Sequence, residues 1–157
     1  MNKDILEVLI EIPKGTKNNK YEYDHKTGKI FLDFVFENLT YPYNYGEAVG
    51  TMGGDGDALD VLVFSDKPLE QSMVVKCIPF GIMKMLDRGE VDDKLLAVPL
   101  GDSYAEKYKD ITDFSEEERK QVREFNQEIA RQKKKHTEIL GFFGKEEALE
   151  EIKKSII

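Results

Sequence analysis

The sequence predicts an α+β fold, a small closed barrel followed by flanking helices. Three observations carry it. Apolar segments of strand length and pattern occupy the chain up to residue 99, and apolar stripes at helical spacing begin only after residue 115. Between them, a cluster of carboxylates and glycines at residues 53–60 runs directly into Val61-Leu62-Val63-Phe64. Strands first and helices last point to a barrel with helices packed on it, not an alternating parallel sheet.

Residues 5–12 read as the first strand and stop at Pro13. Residues 13–19 form a loop of glycine, lysine and asparagine. Residues 20–24 and 30–36 make a hairpin around His25-Lys26-Thr27-Gly28-Lys29. Residues 37–51 read as an irregular, tyrosine-rich passage. Strands follow at 59–64 and 73–85, the second interrupted or bulged at Pro79 and Gly81, and at 94–99 after a charged loop over 87–93. Ser115 and Glu118 form a capping box, and Val122, Phe125 and Ile129 stripe a helix over 115–134. A second helix, 145–156, carries Ala148, Leu149, Ile152 and Ile156 on one face.

The chain of 157 residues is expected to form a single domain over 1–157. A net charge of −8 argues against nucleic acid or an anionic membrane as partner. No apolar run approaches the roughly 20 residues of a membrane span, and the N-terminus lacks a signal-peptide core. Cys77, the one cysteine, lies in an apolar run and reads as a small core residue. A cytoplasmic setting is the expectation.

The chemistry centres on Asp55, Asp57 and Asp60. Two carboxylates about 4 Å apart repel by roughly 4 kcal/mol at an effective dielectric near 20. Such a cluster is either splayed into water or bound to a cation. Oxygen donors select a hard cation, Mg²⁺, Mn²⁺ or Ca²⁺. An EF-hand is excluded, because Asp60 stands where that loop needs glycine and a strand follows it. Further carboxylates occur at Asp87 and Asp92, with Lys94 at the loop exit, and at Glu11 and Glu22, with Lys20 two residues before Glu22 on the same strand face. Tyr41 and Tyr45 are core aromatics or phenolic donors to an anion. Each group has an ordinary alternative as a solvated loop or surface ion pair. Together they supply metal carboxylates, cations for an anion and no histidine, the inventory of phosphoryl transfer to water.

On Glu11-Ile12-Pro13, Lys20-Tyr21-Glu22, Tyr41-Pro42-x-Asn44-Tyr45-Gly46, Asp55-Gly56-Asp57-x-x-Asp60-Val61, and Asp87 with Asp92-x-Lys94, the chain resembles the soluble, barrel-type inorganic pyrophosphatases over almost its whole length. The resemblance implies a five-stranded OB-like barrel with the site at its mouth, and hydrolysis of pyrophosphate to two phosphates by Mg²⁺-activated water, with Mn²⁺ as substitute. It implies metal ligation by Asp55, Asp60, Asp87 and Asp92, and proton removal from the attacking water by Asp57. Lys20, Tyr45 and Lys94 would hold phosphate oxygens, with Glu11, Glu22 and Tyr41 organising the shell. It also implies a homo-oligomer, in bacteria a hexamer.

Four positions depart from the family pattern. Ala58 replaces a usual proline or glutamate. Phe34 replaces a phosphate-binding arginine, Arg88 a glutamate, and Ile129-Ala130 a Tyr-Lys pair. Arg88 is either a substitute cation or an exposed arginine paired with Glu90 or Asp92. Arg131 or Lys133 restores another charge, depending on how the helix is rotated. The losses leave an alternative function, a divergent protein that binds metal and a phosphorylated ligand with weak turnover or none.

Overall fold

The computed structural model describes residues 4–157. In chain order its strands are β1 (Leu6–Ile12), β2 (Lys17–Asp24), β3 (Lys29–Thr40), β4 (Asn44–Ala48), β5 (Asp60–Val63), β6 (Val74–Asp87), β7 (Glu90–Val91), β8 (Lys94–Pro99) and β9 (Thr137–Gly144). The helices are α1 (Tyr104–Lys107) and α2 (Glu116–Lys133), both before β9, and α3 (Lys145–Ser155) after it.

Five strands close on themselves in the order β1-β4-β5-β8-β6, and β6 returns to β1 through Leu6–Cys77 and Val8–Val75 pairs. All contacts in the ring are antiparallel except β5–β8, which is parallel. The expected five-stranded closure is therefore present, with helices outside it. Its membership differs from the sequence reading. The predicted hairpin, β2–β3, stands apart as a two-stranded sheet, and the fifth ring strand is β4, inside the passage read as irregular. β9 is a second unpredicted strand, added to β6 outside the ring. The charged loop over 87–93 also folds back as a two-residue strand, β7, paired with the end of β6. Its turn, Arg88-Gly89, has φ of 50° and 83°, the left-handed pair that a tight hairpin requires.

Alternation along the strands divides the core in two. Val8, Ile10, Val61, Val63, Cys77, Ile82, Leu95, Ala97 and Ala48 come from all five ring strands and fill its interior. Their neighbours Leu62, Leu96, Val98, Phe80 and Met83 point the other way, into a layer shared with Val122 and Phe125 of α2. Both faces of β5 and β8 are thus covered, which accounts for their near-continuous apolar sequence. Burial pushes the Cys77 thiol up to about 12, so it serves as an inert core residue, as expected.

The bulge expected at Pro79 and Gly81 is present, where the β6–β8 register shifts. A Cβ at Gly81 would lie 2.9 Å from the Phe143 carbonyl oxygen. The capping box also forms: Ser115 Oγ accepts from Glu118 N–H at 3.1 Å, and Glu118 Oε1 accepts from Ser115 N–H at 2.9 Å. Lys134, with φ of 55°, ends α2. Among the described residues, no helix is long and apolar enough to cross a membrane.

Candidate active site

A cavity of about 630 Å³ opens where β2, β4, β6 and the loop at 51–60 meet α2. It is lined by all the residues that the resemblance assigns to the site, Glu11, Lys20, Glu22, Tyr41, Tyr45, Asp55, Asp57, Asp60, Asp87, Asp92 and Lys94, and by Arg88, but not by Phe34 or Arg131.

Lys94 is its centre. The parallel register sets Asp60 opposite Lys94, and the hairpin through β7 returns Asp92 to the same place. The buried Lys94 ammonium donates to Asp60 Oδ2 at 2.9 Å, Asp92 Oδ2 at 3.3 Å and Tyr45 Oη at 3.3 Å. An ammonium has three donors, and all are used. Burial alone would discharge Lys94, but the carboxylates of Asp60 and Asp92 more than reverse this and hold its pKa above the ordinary lysine value. Asp92 is pushed up, first by burial and then by Asp60, against the pull of Lys94. Burial and the nearby carboxylates likewise keep the Tyr45 phenol protonated.

Asp87, at the end of β6, accepts from Lys135 Nζ at 2.7 Å and from Arg88 Nε at 3.2 Å. Burial works against its charge, yet the two cations hold its carboxyl below the usual range. Arg88 is exposed, as one of its two readings had it, but its partner is Asp87, not Glu90 or Asp92. The left-handed turn turns its side chain back along its own neighbour. Asp55 and Asp57 sit exposed in the glycine-rich loop, where Asp57 N–H donates to Asp55 Oδ1 at 3.0 Å and Gly56 has φ of 86°. Among the described residues, no three His, Cys, Asp or Glu side chains stand grouped to hold a metal. Lys94 and Lys135 occupy the oxygens of Asp60, Asp92 and Asp87 instead.

The opposite wall is basic. Lys20 donates to Asp33 Oδ2 at 2.9 Å and lies 3.9 Å from Glu22, its same-face neighbour. Of the two α2 cations, Arg131 is bound to Glu128 at 2.6 Å and exposed, whereas Lys133 lines the cavity beside Ile129 and Ala130. Sequence reasoning did not single out Lys135, Glu47, His25 or Asn126, all of which line the cavity. Lys135 had a signal in the lysine run 133–135, which reads as a solvated helix end. Glu47 had none, since its strand was unrecognised.

Glu11 shows the cost of gathering these acids. It is buried, accepts from Tyr23 N–H at 2.9 Å, and is pushed by that burial up to about 8. Glu47, paired with His25 at 2.9 Å, is also raised by burial. Because the folded pKa of Glu11 exceeds the unfolded one, the unfolded chain gives up this proton first, and stability falls as pH rises between about 4.5 and 8. At pH 7 the penalty is on the order of 3 kcal/mol. Glu11→Gln keeps the acceptor for Tyr23 without the charge. In EDTA its thermal midpoint should match that of wild type near pH 4.5 and rise above it progressively up to pH 8. Parallel pH curves would show that Glu11 carries no such penalty.

A closed ring whose mouth sets carboxylates against lysines and phenols suits an enzyme that handles a small, multiply charged anion. A family model described as inorganic pyrophosphatase matches residues 8–157. The inorganic pyrophosphatase of Streptomyces coelicolor is 44% identical over 120 residues, 76% of this chain and 73% of its own. That of Buchnera aphidicola is 41% identical over 153 residues, 94% of this chain and 84% of its own. The solved inorganic pyrophosphatase of Helicobacter pylori has a TM-score of 0.90 at 34% identity, covering 99% of this chain and 93% of that one. The chain belongs to the inorganic pyrophosphatase family.

Proposed function

We propose that this protein hydrolyses inorganic pyrophosphate to two phosphates, with Mg²⁺ as its cation and Mn²⁺ as substitute. The observation that carries the reading is the Lys94 centre: one buried ammonium shared by Asp60, Asp92 and Tyr45 at the mouth of the ring. The family carries a divalent-metal requirement in general, and the donor set suits a hard ion, being all oxygen, with Asp92 raised first by burial and then by Asp60. Asp55, Asp60, Asp87 and Asp92 would hold the ion, which when bound neutralises phosphate oxygens and makes water more acidic. Asp57 orients the attacking water and takes its proton. Lys20, Lys94 and Tyr45 would hold phosphate oxygens, Lys94 with a donor turned from one of its present partners, and Glu22, Glu11 and Tyr41 would support them.

We read residues 1–157 as one domain of a cytoplasmic homo-oligomer, a hexamer by family resemblance. The alternative of a metal-binding protein without turnover is not favoured, since relatives 37–46% identical over most of the chain are inorganic pyrophosphatases. Phosphate release from pyrophosphate should require Mg²⁺ and vanish in EDTA, while excess Mg²⁺ should raise the thermal midpoint of the free protein. Metal-independent release, or identical midpoints in EDTA and Mg²⁺, would remove the metal site.

A further inference from the structure

Lys133, one of the two α2 cations weighed from the sequence, carries no role in the proposed reaction, yet it projects into the same cavity. It stands one turn beyond Ala130, and residues three apart on a helix share a face. Ala130 and Ile129 line the cavity with it. The Lys133 ammonium rests 5.7 Å from the centroid of the Phe34 ring, a cation–π distance. Phe34 in turn is seated against Phe36, with centroids 4.7 Å apart, and is paired in register with Lys20.

The charges around Lys133 are unbalanced. Lys20 and Lys135 both face it, while their own counter-ions, Asp33 and Asp87, are already engaged at 2.9 and 2.7 Å. Lys133 makes no ion pair within 4 Å among the described residues. Burial and then the two neighbouring lysines lower its pKa against the weaker pull of Asp33 and Asp87.

Resting on the pyrophosphatase reading, we infer that Lys133, cradled by Phe34, is the residue that grips the substrate's phosphate on the basic wall, in place of charges absent at positions 34 and 130. Two of the departures thereby become one arrangement. The uncharged aromatic ring supports a lysine delivered from one helical turn further along. The ligand class is a phosphate or phosphoanhydride oxygen, and Lys20 and Lys133 approach it from two elements.

The test uses Lys133→Ala, with the non-hydrolysable imidodiphosphate as probe in Mg²⁺, and thermal midpoints as the folding control. Loss of one charge-assisted phosphate contact corresponds to about tenfold to a hundredfold. Affinity for imidodiphosphate should fall by that factor, and kcat/KM for pyrophosphate should follow. Phe34→Arg alone should bring no gain, since it adds a fourth cation to the wall, but in the Lys133→Ala background it should recover most of the loss. Unchanged imidodiphosphate affinity in Lys133→Ala overturns the inference, as does a gain from Phe34→Arg alone equal to its gain without Lys133. A wild type that binds imidodiphosphate through Lys133 yet releases no phosphate would instead sink the pyrophosphatase reading and leave the anion site standing.

Discussion

Asp57→Asn should lower turnover at saturating Mg²⁺ by on the order of 10²-fold or more, the usual contribution of a positioned base. The structure makes this substitution clean. Asp57 is exposed, its backbone N–H and carbonyl shape the loop through Asp55 and Gly53, and its carboxyl makes no hydrogen bond or ion pair among the described residues. Asparagine keeps the size and the backbone bonds, so the thermal midpoint should not move. Asp55, whose Oδ1 accepts the Asp57 N–H, keeps its orientation. The loss should therefore fall on kcat, with affinity for imidodiphosphate nearly intact. Near-normal turnover in Asp57→Asn would take the base from Asp57 and leave Asp55 to be tested.

Gly46→Ala should be the most damaging single methyl in the protein. Gly46 lies on β4 opposite Ile10 of β1, and a Cβ there would meet the Leu9 carbonyl oxygen at 2.2 Å and Val8 Cγ1 at 3.0 Å. The oxygen is backbone inside the ring, so it cannot swing aside as a side chain would. The strands must part, at about 3 kcal/mol or more. For a chain of this size that lowers the melting temperature by roughly 10 °C. Gly54→Ala is the control, because its added Cβ would only touch Val91 at 3.7 Å. A Gly46→Ala protein melting with wild type would mean that β1 and β4 are further apart than described. The neighbouring Tyr45 should lose its bond to Lys94 in the same step, so activity should fall with stability.

This glycine also explains what could be read in the sequence and what could not. β1, β6 and β8 announce themselves because their apolar content matches a strand buried on at least one face. β4, Asn44-Tyr45-Gly46-Glu47-Ala48, has no such alternation: its residues answer to a close approach, a buried carboxylate and a phenol in the site, not to strand propensity. β9 is obscured in the same way by Gly141 and Gly144. The capping box at Ser115 is local chemistry and was legible to the residue. The choice between Arg131 and Lys133, and the partner of Arg88, depend on helix rotation and turn handedness, which only the assembled structure decides.

The closure of β1 onto β6 has a consequence in time. The last seam of the ring joins Leu6 and Val8 to Cys77 and Val75, and β5 reaches its parallel partner β8 only after the whole of β6 has been laid down. Local contacts cannot prepay such pairings, and topologies dominated by them fold in milliseconds to seconds. A growing or partly folded chain can hold the β2–β3 hairpin and α2, yet the cavity takes Glu11 from β1 and Asp87 from β6, the two strands that the seam joins. Appearance of pyrophosphatase activity during refolding should accordingly coincide with the final cooperative phase, making catalysis itself the clock for ring closure.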